Sequence, residues 1–80
     1  MEETQTPEQI QRHISAAFDS VNLINSLITE PADDKTKDSV ERNYQHLELM
    51  IAKDWFEAGC TAQQVTDINA CIAAGKAYCA

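Results

Sequence analysis

The sequence predicts an all-α fold: a long antiparallel helical hairpin with a shorter third helix. Three observations carry that reading. With two Gly and two Pro in 80 residues, the chain lacks the turn signal that a β sandwich or barrel needs roughly every ten residues. Two Thr-x-x-Gln capping boxes, Thr6 to Gln9 and Thr61 to Gln64, mark helix starts. Between them the apolar residues recur at alternating spacings of three and four, the period of a helix face.

The first start places Thr6 to accept from the amide of Gln9 while the Gln9 side chain reaches back. Pro7 stands at the first helical position, where its missing N–H costs nothing. From there Ile10, Ile14, Ala17, Val21, Ile24 and Ile28 form a seam. Phe18, Leu23 and Leu27 widen it into a stripe broad enough for two neighbours. The helix is expected over residues 7–29, because Glu30 precedes Pro31 and is pushed out of the α region. Residues 1–5 carry no periodic pattern and read as a frayed tail.

Residues 30–34 read as a loop, with Asp33 or Asp34 capping the next helix and adding favourable charge at its start. That helix is expected to run unbroken over residues 34–58, about 37 Å. Its core positions are Val40, Tyr44, Leu47, Ile51 and Trp55, with Met50 and Phe56 beside them. Gly59 follows as a left-handed terminator, which makes Cys60 a junction residue. The third helix, over residues 62–74, turns Val65, Ile68, Ile72 and Cys79 inward, and Ala73-Ala74-Gly75 stops or kinks it.

Links this short make neighbouring helices antiparallel, so the third helix folds back on the hairpin. The alternative is an extended hairpin that dimerises. Residues 1–80 form a single domain, and a domain this small buries only about 60% of its unfolded surface. A partner or a second copy would add to so thin a core.

An apolar fraction of 44% is that of a chain that folds. The 13 acidic side chains outnumber the 6 basic ones for a net charge of −7. Seven of the acids, Glu2, Glu3, Glu8, Asp19, Glu30, Asp33 and Asp34, lie in residues 1–34, where Arg12 is the only base. That balance repels phosphate backbones and anionic lipid, so neither direct nucleic-acid binding nor membrane binding is expected. No run approaches the roughly 18 apolar residues of a membrane span, and Met1-Glu2-Glu3-Thr4 is the reverse of a basic signal-peptide start. Synthesis and retention in a cytoplasm follow as the expectation. Cys60, Cys71 and Cys79 are an odd set without close pairing, which points to reduced thiols.

The motifs of enzymes are missing. His46-Leu47-Glu48 opens like a zinc deaminase signature but has no P-C-x-x-C half, and His46 and Glu48 point about 200° apart on a helix. No carboxylate stands three residues before His13 or His46, as a four-helix di-iron site requires. The cysteines are 11 and 8 residues apart, without a zinc-binding C-x-x-C pair. There is no Gly-rich phosphate loop and no G-x-S-x-G elbow. No metal, no cofactor and no catalysis are therefore expected. The thiol to watch is Cys60, because a helix N-terminus beside it can lower a thiol pKa. Most free cysteines are small core hydrophobes.

Tyr44, Trp55 and Phe56 concentrate aromatic surface in one helix, and aromatics anchor cores and interfaces alike. Trp55 and Phe56 are adjacent and point about 100° apart, so both are buried only if two neighbours flank that end.

The run Arg42-Asn43-Tyr44-Gln45-His46-Leu47-Glu48-Leu49-Met50 with Lys53-Asp54-Trp55-Phe56, then Ile68-Asn69-Ala70 and Ala73-Ala74-Gly75-Lys76-Ala77-Tyr78, resembles short uncharacterised reading frames of tailed bacteriophages. The resemblance covers about residues 40–80 and implies a setting: small helical proteins that pack on capsid or tail subunits, or that occupy a host enzyme or defence complex. Taken together, the expectation is a non-enzymatic interaction protein, most specifically a virion accessory, made in the host cytoplasm and carried in the virion. Its candidate interface is Phe18, Leu23, Leu27, Tyr44, Trp55 and Phe56, facing a virion subunit, a host protein or another copy. The alternative is an acidic inhibitor whose N-terminal acids meet a basic surface.

Overall fold

Both capping boxes form in the computed structural model, which describes residues 5–80. Helix α1 spans Pro7–Leu27, its Thr6 cap accepting from the Gln9 amide at 3.2 Å and the Gln9 side chain accepting from the Thr6 amide at 3.0 Å. Helix α2 spans Asp34–Ile51, and the cap is Asp33, which accepts from the Thr36 amide at 2.8 Å. A short helix α3 covers Asp54–Gly59, and α4 runs over Ala62–Cys79 from the Thr61 box. The tail expected over residues 1–5 lies, apart from Gln5, outside the described residues, as do Glu2 and Glu3.

Helix α2 is the middle layer. It packs antiparallel to α1, with His46 opposite Ser20, and antiparallel to α4, with Lys37 opposite Cys79. Helices α1 and α4 therefore run parallel and meet along a shorter seam. The core between them is Ile14, Ala17, Val21 and Ile24 from α1, Val40, Leu47 and Met50 from α2, Phe56 from α3, and Ile68, Cys71 and Ile72 from α4. Most of the α1 seam thus finds its partners within its own chain. Beside it Ile10, Phe18, Leu27, Ile28, Tyr44, Ile51 and Trp55 are half-buried.

Three expectations about the chain path are corrected. The second helix does not continue to residue 58: it ends at Ile51, and Lys53 is extended. At about 100° per residue, an unbroken α2 would aim Phe56 about 160° away from Val40, into water. The break re-aims Phe56, which is fully buried, while Trp55 lies beside His13 with ring centroids 5.1 Å apart. The gain from burying a Phe side chain, about 1.5–3 kcal/mol, exceeds the loss of a few helical bonds at a solvated turn.

Gly59 is the last residue of α3 and has no left-handed conformation. Glycine is needed there for space, since a β-carbon at that position would collide with Cγ2 of Ile10. Gly75 likewise does not stop α4, which continues to Cys79. It is buried where α4 crosses α2, and a β-carbon there would lie 3.1 Å from the Tyr44 ring and 3.3 Å from Val40. A glycine inside a helix marks close approach as often as it marks an end.

The C-terminal end of α4 is tied to the rest by polar contacts. The Tyr78 hydroxyl donates to the carbonyls of Glu30 and Pro31 at 2.8 and 3.0 Å, fastening the last turn to the loop between α1 and α2. Lys76 pairs with Glu48 at 2.5 Å and lies 6.0 Å from the Tyr44 ring centroid.

Candidate protein-interaction face

The interface residues named from sequence separate into three groups. Phe56 is core: it is fully buried and presents nothing to a partner. Tyr44 and Trp55 are half-buried against neighbours of their own chain, Tyr44 under Gly75 and Lys76, Trp55 against His13 and Phe56. Both adjacent aromatics stand on α3, and α1 and α2 are the two neighbours that flank it. Leu27 is half-buried, Leu23 is 45% exposed, and Phe18 is half-buried at the edge of a groove.

That groove is an open concavity of the described surface. It runs between α1 and α4, encloses about 460 Å³, and has Val21 and Cys71 as its floor. Phe18, Asn22 and Asn25 form the α1 wall, and Asp67, Ala70 and Ala74 the α4 wall. It lies along the shorter seam between parallel helices, both of which are held by α2. The thiol of Cys71 is turned inward and donates to the Val21 carbonyl at 3.7 Å. Burial pushes the Cys71 thiol above its ordinary pKa.

Charge is distributed unevenly around the bundle. Helix α2 carries Asp34, Lys35, Lys37, Asp38, Glu41, Arg42 and Glu48 in 18 residues. Helix α4, of the same length, carries only Asp67 and Lys76. In α1 the stretch from Ile14 to Leu27 carries only Asp19. The groove between α1 and α4 is thus poor in charge, with Asp67 the one charged residue among those that line it, and depletion of charge is a feature of interface centres.

The remaining candidates take their places around this face. Cys60 is half-buried, and its thiol is pushed above the ordinary range, first by burial and then by the Glu57 carboxylate. The lowering expected from the start of α4 is not found, and both influences on the thiol raise it. Cys79, half-buried, donates to the Lys37 carbonyl at 3.3 Å, and burial with the Glu41 charge raises its pKa despite the opposing Lys37 charge. The three cysteines are free thiols. His46 lies on the α1–α2 boundary with its Nδ1 3.3 Å from the Ser20 hydroxyl.

Among the described residues, no group of three His, Cys, Asp or Glu side chains is placed to hold a metal ion. No helix among them is long and apolar enough to cross a membrane. The acids named for a basic partner do not converge: Glu8 opens α1, and Glu30, Asp33 and Asp34 follow its far end, about 30 Å away.

The groove could not be read from the sequence, because Asn22, Asn25, Ala70 and Ala74 carry no apolar signal of their own. The faint trace was the low charge of α4. Compared with known protein families, curated proteins and solved structures, the chain finds no match.

Proposed function

We propose that this chain is a non-enzymatic interaction protein that docks against protein through the face made by α1 and α4. The single observation that carries the reading is the charge-poor groove between those helices, in a chain whose α2 is densely charged. Protein interfaces deplete charge at their centre and keep it at the rim, and this molecule is arranged that way round. The resemblance of residues 40–80 to tailed-phage reading frames gives the proposal its specific form, a small virion accessory among capsid or tail subunits.

The test places a photo-crosslinking amino acid at Ala70, on the groove wall, and at Leu49, which is 69% exposed on the opposite side of the bundle. Adducts identified by mass spectrometry from position 70 and not from position 49 are the expected result. No adduct from position 70, or the same adducts from both, would overturn the docking face. Purified particles that lack the chain would remove the virion form and leave the face.

A further inference from the structure

We draw no further inference here: the strongest candidate, the groove between α1 and α4 with Cys71 at its floor and Asp67 on its wall, is the face already assigned to docking, and nothing in the structure shows what covers it.

Discussion

Gly59 and Ile10 approach so closely that no β-carbon fits between them, which fixes α3 against the first turns of α1. The neighbouring atom is Cγ2 of a β-branched, half-buried side chain, with Ile14 behind it, so it cannot swing aside as a long side chain would. Gly59→Ala should destabilise the fold by about 1–2 kcal/mol, the cost of overpacking less the helix-propensity gain. Gly75→Ala should cost less although Gly75 is more buried, because its contacts are longer and α4 gains an alanine mid-helix. Thermal melts of the two variants decide the ranking, and a Gly59→Ala protein as stable as the parent would refute the contact.

Phe56 and Leu49 are both large apolar residues near the end of the second helical segment, and only one is core. Phe56→Ala should cost about 3–5 kcal/mol, a large part of the stability of a domain this size. Leu49→Ala should fall within about 0.5 kcal/mol of the parent. Urea titration of both separates a re-aimed α3 from an unbroken α2, in which Phe56 would be the dispensable one.

Asp33 makes the start of α2 sensitive to acid. Its carboxylate is held below the ordinary range by the hydrogen bond from the Thr36 amide, so the folded state favours the charged form. A depressed carboxylate contributes stability that is present above its unfolded pKa of about 4 and is lost as pH falls through the folded value. Asp33→Asn keeps a side-chain cap without the charge. The melting-temperature advantage of the parent over Asp33→Asn should therefore hold at pH 7 and shrink below about pH 4. An advantage independent of pH would show that the charge plays no part.

The thiols offer a test of burial at three places in one molecule. All three are pushed up by burial, so each should react with iodoacetamide at pH 8 more slowly than an unfolded peptide thiol. Cys71, which is 4% exposed, should be the slowest and should be modified only when the bundle opens. Peptide mapping over time gives the order, and a Cys60 faster than the unfolded control would restore the reactive thiol that its place before α4 suggested.

Where the sequence was legible, a local rule decided the outcome. Thr6 with Gln9, Thr61 with Gln64, and Pro31 each act within one turn, and the starts of α1 and α4 and the end of α1 fall where they point. The break after Ile51 had no such signal: Ala52 and Lys53 are ordinary helix residues, and the chain bends there because Phe56 is worth more inside than in water. Gly59 and Gly75 misled for the same reason, since each answers to a residue far away in sequence. Cys71 was passed over as core because a small thiol adds little to an apolar pattern. Of the candidate interface only Phe18 lies on the groove, whose walls are otherwise polar or small and so leave no periodic trace.

The central position of α2, in the chain as well as in space, sets an order of assembly. Its contact with α1 closes over residues 28–33 and its contact with α4 over residues 52–61, α3 included, so each hairpin closes at modest entropic cost. The seam of α1 with α4 closes last, since it joins residues as far apart as Val21 and Cys71, 50 positions along the chain. It is also the thinnest contact among the three long helices, so it is the first to part when the molecule fluctuates. The amides along the groove should then exchange with solvent ahead of those in α2, and whatever settles in the groove would act as a latch on the least durable joint of the protein.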